Sequence, residues 1–186
     1  MDRDVATSKG NAVDVTPPPP RPSRQAVARH EAGHAVAAYW LKLDVSSLSI
    51  EPEGPTFGRI VLRTSRRMLE RIDAGIVGHH ARRRVENQVM TLLAGGIAAR
   101  DRRGCERDHA LAAALVLKLS GSVDEATAYA AWLRQRTAVL FSLVPSRIAV
   151  SAIADQLLRR GTLRGSAAHA VAHRSFLDVA SGRRSG

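Results

Sequence analysis

Residues 29–40, RHEAGHAVAAYW, place two histidines four residues apart in a run of small, apolar, helix-forming side chains. Positions i and i+4 of an α-helix lie one turn apart on one face, so His30 and His34 must point the same way. The other residues of that face are apolar, and burying two unpaired imidazoles among them would cost free energy. The segment therefore predicts a partly buried helix whose two histidines share a ligand.

A zinc ion is the ligand that this spacing suits, because two imidazoles one helical turn apart can both bind it. Glu31 directly follows the first histidine and completes the pattern HExxH, in which the glutamate holds a water molecule at the zinc and accepts its proton. A catalytic zinc also needs a third protein ligand and one position open to water. The spacing leaves this third ligand open among Asp108, Glu106, Asp101, Glu86 and the pair His79 and His80.

The composition favours a mainly α (α+β) fold with one small β-hairpin. Aromatic residues make up only 4% of the chain, so Leu, Val and Ala must fill the core, which favours helices. Alternating apolar residues on both sides of the turn sequence EPEGPTFG predict the hairpin, at about 46–63. Apolar residues at helical spacing, with Ser23, Asp108 and a Ser122–Glu125 capping box as start signals, predict the helices. We expect helices over about 24–42, 80–100, 109–119, 122–141 and 145–160, another that ends near Gly75 or Gly78, and a short one from Ser166.

The chain of 186 residues suits one domain with a tail at each end. Four successive prolines in TPPPPRP cannot join a helix, so we expect residues 1–22 to be a disordered, proline-rich tail. Residues 23–178 are expected to form the domain, and residues 179–186 a disordered C-terminal tail. The sequence shows no secretory signal and no apolar run near the roughly 20 residues that span a bilayer. We therefore expect a cytoplasmic protein with no membrane partner.

The formal net charge of +11 comes almost wholly from arginine. Its densest segments, HHARRR at 79–84 and RDRRG at 100–104, are basic enough to contact nucleic acid, but few aromatic residues lie beside them to stack on bases. We expect solvated helix faces and loop ends there, and no nucleic-acid partner. Cys105 is the only cysteine, which excludes an intramolecular disulfide and a cysteine-rich zinc ribbon.

Five segments resemble, in order along the chain, the peptidase domain of the FtsH-type, AAA-linked zinc metalloproteases. HEAGHAV is similar to that family's zinc helix, and LSIEPEGPTFGRIVL to the hairpin that follows it. LLAGGIAAR is similar to the family's LLGGRAAE segment, GCERDHALAAA to its GASND-type loop and helix, and IADQLLRRGTLRGSAA to its closing helix and turn. The similarity spans about residues 24–172, with similar spacing.

The resemblance implies that residues 23–178 are a stand-alone zinc metallopeptidase domain with the helical fold of that family. It implies Zn²⁺ as the cofactor, with His30 and His34 as ligands and Glu31 as the catalytic base. The position that matches the family's third ligand, the aspartate of the loop before a helix, is Asp108. The implied activity is that of a zinc metalloendopeptidase that hydrolyses peptide bonds in unfolded or partner-delivered proteins. The implied partners are a polypeptide substrate and either a separate AAA ATPase or a homo-oligomeric ring.

The chain also departs from the family pattern. It has no GxxxxGK[ST] phosphate loop and no transmembrane segment, so any dependence on ATP is expected to come through a partner. The family's arginine in GGRAAE is Ile97 here and the first glutamate is Arg100, neither of which is a zinc ligand. Two alternatives stay open: a non-catalytic zinc-binding adaptor or regulator that keeps the peptidase fold, and an Arg-rich nucleic-acid-binding domain. Glu31 argues against the adaptor, because a structural zinc needs no base.

Overall fold

The computed structural model describes residues 21–54, 56–63, 70, 78–101 and 103–182, and these residues contain six helices and three strands. In chain order the elements are α1 (Arg24–Trp40), β1 (Val45–Ser49), β2 (Arg59–Leu62), α2 (His79–Ala99), α3 (Glu106–Leu117), α4 (Val123–Ser142), α5 (Val144–Arg160), β3 (Thr162–Arg164) and α6 (Gly165–Ala180). The predicted fold class, mainly helical with a small β element, is confirmed. The helix predicted to end near Gly75 or Gly78 lies outside the described residues, apart from Glu70.

Local side chains explain where several helices begin and end. Ser23 caps α1 by accepting a hydrogen bond from the backbone N–H of Ala26, as its position predicted. At the start of α4, Ser122 Oγ accepts from the N–H of Glu125 at 3.1 Å, which confirms half of the predicted capping box. The carboxylate of Glu125 accepts instead from the N–H of Gly121 at 2.6 Å, one residue earlier than the motif expects. Gly161 ends α5 with a φ of +72°, a conformation that suits glycine.

Two helices differ from the prediction. α3 begins at Glu106, so Asp108 lies in its first turn and does not cap it. The helix starts earlier because Gly104 turns the chain with a φ of +76°, and two acidic residues in the first turn complement the helix dipole. The last helix, α6, is 16 residues long and begins at Gly165, where only a short helix from Ser166 was expected.

The sheet has one strand more than the predicted hairpin. β1 lies between β2 and β3 and pairs with both in antiparallel orientation. β3 has only three residues, too few to show an alternating pattern in the sequence, and it forms because Gly161 directs the chain back along β1. There, the N–H of Ile50 donates to the carbonyl of Gly161 at 2.8 Å. As a result β1 is the central strand and β2 lies at an edge of the sheet.

Two apolar clusters meet along α1 and α2. The larger cluster joins α1, β1, α5 and α6, and its fully buried members include Val36, Leu48, Ile153 and Leu157. The second joins α2, α3 and α4 around Val85, Val89, Val116 and Leu133. Leu41, at the end of α1, packs against both clusters. α1 is therefore held from several sides, which fixes the direction of the side chains that it carries.

The predicted tails lie largely outside the described residues, which exclude 1–20 and 183–186. α6 runs through Ala180, two residues into the segment expected to be a tail.

No single helix in the described ranges is long and apolar enough to cross a membrane. α4 and α5 together meet the length and composition criteria, but they are bent by 83° where they join.

Gly33 allows α1 and α2 to approach closely. A Cβ at this position would lie 2.5 Å from the Cβ of Ala98 and 2.8 Å from the carbonyl oxygen of Ala94. Backbone atoms cannot move aside as a flexible side chain can, so any side chain here would push the two helices apart. Gly33 lies between His30 and His34, and the close approach therefore occurs where the histidines point.

We expect Gly33→Ala to destabilise the protein by about 1–3 kcal/mol, because overpacking forces the helices apart. Helix propensity alone would favour alanine over glycine by about 1 kcal/mol, so a net loss must come from the helix contact. Urea unfolding measures the change, with Ala113→Ser on an exposed position of α3 as the control. A Gly33→Ala protein as stable as the wild type would show that the two helices do not pack this closely.

Candidate metal centre

α1 directs both histidines toward α2, and Gly95 on α2 leaves the space for them. A Cβ at Gly95 would lie 2.6 Å from the Nε2 atoms of His30 and His34. The two imidazole rings meet edge to face, with their centroids 4.6 Å apart. The His34 side chain is 2% exposed and that of His30 12%. The i, i+4 spacing thus places the rings together, as predicted, in a nearly dry position.

The first turn of α3 brings Asp108 to the same point. Its Oδ2 lies 2.9 Å from His30 Nε2 and 3.1 Å from His34 Nε2, and the two Nε2 atoms are 2.9 Å apart. Ligand atoms bound tetrahedrally to zinc, each about 2.0–2.1 Å from the ion, lie about 3.3 Å from one another. The three atoms therefore form a triangle close to one face of a zinc coordination sphere. Within the described residues, they are the one group of three His, Cys, Asp or Glu residues with the spacing of a metal site.

The hydrogen bond of His34 Nδ1 determines which kind of ion the triangle of His30, His34 and Asp108 can bind. Nδ1 donates a hydrogen bond to the backbone carbonyl of Thr91, 2.7 Å away, so the hydrogen of the neutral ring is on Nδ1. Nε2 then directs a lone pair toward the carboxylate of Asp108, which also carries lone pairs. Two such atoms at 3.1 Å repel each other unless a proton or a metal cation lies between them. The donor set thus fits a cation that prefers imidazole and carboxylate ligands, as zinc does.

The pKa values show that the site favours positive charge. Burial disfavours a proton on His34, but the hydrogen bond and charge of Asp108, with smaller effects from Glu31 and the Thr91 carbonyl, raise its pKa to about 9. Burial also tends to raise the pKa of Asp108, but the hydrogen bonds and charges of the two histidines outweigh it and hold that pKa well below its ordinary value. Burial lowers the pKa of His30. At neutral pH the site therefore contains an ionised Asp108 carboxylate and a proton held by His34.

Glu31 lies beside the triangle and is not part of it. The residue is 4% exposed, and its buried Oε2 has no hydrogen-bond partner among the described residues. Burial raises the pKa of Glu31 to about 7, against the opposing charge of His34. Gly58 packs directly on the carboxylate, since a Cβ there would lie 2.6 Å from Oε1. A buried carboxylate with a free oxygen and a pKa near neutrality suits a group that accepts a proton from a water molecule.

The triangle and Glu31 face a cleft of about 580 Å³. β2 lines this cleft, with Phe57 and Gly58 just before it, and so do residues near the start of α3. Leu92 and Leu111 make parts of the wall apolar. The centre is therefore accessible from solvent through a groove that runs along an edge strand.

The other candidates for the third ligand are not part of the triangle. Asp101 and Glu106 line the cleft, but Asp101 forms an ion pair with Arg103 at 2.7 Å and Glu106 is exposed. The carboxylate of Glu86 accepts a hydrogen bond from the hydroxyl of Tyr129. The pair His79 and His80 is exposed at the start of α2. Geometry therefore selects Asp108, the residue that the resemblance implies.

The sequence did not single out two residues that shape the centre. The Thr91 carbonyl is a backbone group, which no side-chain pattern reveals. Gly95 belongs to the LLAGGIAAR segment, whose paired glycines inside a helix are unusual enough to indicate a close approach.

No protein-family model matches the chain, and a search of curated proteins finds no match.

We expect the protein to bind one zinc ion per chain and His34→Ala to weaken the binding by at least about 100-fold, because a ligand and its Thr91 anchor are both lost. His80→Ala, which removes an exposed imidazole outside the site, is the matched control and should bind as the wild type does. Competition with a chromophoric chelator gives the affinities. Equal affinities for the two variants would exclude the triangle as the metal site.

Zinc binding should release about one proton at pH 7, because zinc must displace the proton that His34 holds below a pKa of about 9. The apparent affinity should therefore rise about tenfold for each pH unit between 7 and 9. Calorimetry in buffers of different ionisation enthalpy counts the protons released. Binding that is independent of pH across this range would contradict the charge state described above.

Proposed function

We propose that this chain is a zinc-dependent metalloendopeptidase. One observation carries the proposal: His30, His34 and Asp108 converge within 3.1 Å of one another beside a buried carboxylate whose Oε2 has no partner among the described residues. Three protein ligands are the number that a catalytic zinc site uses, with a further position for water or substrate. A structural zinc site would take a fourth protein ligand and would not need Glu31.

Glu31 supplies the proton chemistry in this proposal. A bound zinc ion would act as a Lewis acid that polarises the scissile carbonyl and lowers the pKa of a water molecule to about 7. Glu31 Oε2 accepts the proton of that water as it attacks, which suits a carboxylate whose pKa burial raises to about 7. The same carboxyl group then donates the proton to the leaving amine. Gly58 holds the carboxylate in place from the side of β2.

β2 aligns the substrate in this proposal. β1 occupies one side of β2, and no strand in the described part of the chain pairs with its other side. An extended peptide can add to such an edge by backbone hydrogen bonds, which recognise any sequence. Because β2 also forms a wall of the cleft, the added peptide would pass over the metal ligands. Only an unfolded segment can adopt this extended form, so we propose loose or partner-delivered polypeptides as substrates.

The resemblance to FtsH-type peptidases supports the same assignment. The residues that match the family's ligands and base are those that converge here, although they lie on two helices more than 70 positions apart in the chain. In this proposal folded substrates require a separate AAA ATPase to unfold and deliver them, whereas a homo-oligomeric ring would accept only loose polypeptides.

We expect Glu31→Gln to reduce casein cleavage by at least about 100-fold while zinc affinity stays near that of the wild type, because the amide cannot accept a proton and is not a ligand. Glu106→Gln is the matched control, since it removes an exposed carboxylate from the rim of the same cleft. That variant should cleave within about threefold of the wild type.

The assay distinguishes the alternatives. If wild-type protein binds zinc but cuts neither casein nor an unfolded peptide, with or without an added ATPase, the adaptor interpretation replaces the peptidase. If Glu31→Gln cuts as well as the wild type, the assigned base is wrong.

A further inference from the structure

His30 and His34 are held by different groups on the ring nitrogens that face away from Asp108. For His34 that group is the Thr91 carbonyl, 2.7 Å from Nδ1. For His30 it is the sulfur of Cys105, 3.8 Å from Nδ1, within the distance of a hydrogen bond to sulfur. No other hydrogen-bond partner of His30 Nδ1 lies within the described ranges. The orientation of His30 therefore depends on this thiol.

The thiol is itself held in place. Cys105 is 1% exposed, and its sulfur lies 3.4 Å from the backbone carbonyl of Asp101, to which the S–H can donate. Gly96 on α2 provides the space, because a Cβ there would lie 2.9 Å from the sulfur. With its hydrogen directed at Asp101, the sulfur can present a lone pair to His30 Nδ1. The tautomer of His30 decides the direction of this contact: a ring whose Nε2 is left free for a metal carries its hydrogen on Nδ1 and donates it to the sulfur.

We propose that Cys105 is a positioning residue of the metal centre, whose sulfur accepts a hydrogen bond from His30 Nδ1 and keeps Nε2 free to bind the metal. This inference rests on the zinc site of the proposed function. Partners of this kind fix the tautomer and direction of a metal-binding histidine, and their removal typically costs 10–100-fold in metal affinity. The position of Cys105 adds a second effect. Cys105 directly precedes α3, the helix that carries Asp108. Its side chain therefore connects the start of that helix to the ring of His30.

Two substitutions separate this role from simple filling of the core. Cys105→Val keeps the apolar character of the side chain, with a somewhat larger volume, but removes the acceptor. Cys105→Ser keeps a group that can accept and donate but is smaller and more polar. If the sulfur positions His30, the serine variant should bind Zn²⁺ at least about tenfold more tightly than the valine variant. If the sulfur only fills space, the order should reverse, because valine packs well in a buried position and serine does not.

Zinc affinities measured by chelator competition give the first result, with circular dichroism to show that each variant is folded. A valine variant that binds zinc as tightly as the serine variant, or more tightly, overturns the role of Cys105 and leaves the proposed function intact. A wild-type protein that binds no zinc overturns both.

NMR of the histidine ring N–H groups in the zinc-loaded protein provides a second result, and its wild-type measurement does not depend on any variant folding. The Nδ1–H of His30 should exchange slowly with water in the wild type, as should that of His34, which donates to Thr91. In Cys105→Val the His30 signal should broaden or shift while the His34 signal stays unchanged. Exchange of the wild-type His30 N–H as fast as that of the exposed His80 would overturn the proposal.

Discussion

The close contact between α1 and α2 is the constraint on which the rest of the centre depends. Gly33 lets the two helices approach until a methyl group would no longer fit, and Gly95 lets both imidazoles lie on the surface of α2. At this distance the backbone carbonyl of Thr91 reaches His34 and fixes its tautomer. A wider separation would leave the Nδ1–H of the buried His34 without its acceptor, and an unpaired buried donor costs free energy.

The same packing creates the chemical asymmetry of the site. His34 is almost fully buried and lies against two carboxylates, whereas His30 is more exposed and its pKa is lowered by burial. Glu31 follows His30 on the helix, so its side chain leaves the triangle and enters the space beneath β2, where Gly58 covers it. The proposed ligands and the proposed proton acceptor thus occupy adjacent positions without competing for the same cation. This separation of roles is the physical basis for proposing a hydrolase.

The sheet is small, but its order determines which strand borders the cleft. β3 pairs with one side of β1, so that β2 keeps its outer edge toward the cleft. The buried pair of Leu48 and Leu163 holds β1 and β3 together against the core. The short return of the chain after Gly161 therefore stabilises β1, the strand with which the proposed substrate guide β2 pairs.

The sequence by itself determined the helical class, most helix boundaries and the shared face of His30 and His34, because these depend on residue spacing within one element. Residue spacing left the proposed third ligand among several candidates, because Asp108 is separated from His34 by 74 positions, and only the family resemblance pointed to Asp108. The sequence also missed β3, whose three residues carry no pattern of their own. The tertiary structure brought Asp108 to the two histidines, paired β3 with β1, and placed Thr91, Gly95 and Cys105 against the imidazole rings. The contacts at the histidines depend on how closely the helices pack. The paired glycines of α2 indicate a close approach, but no local pattern in the sequence says which residues meet there.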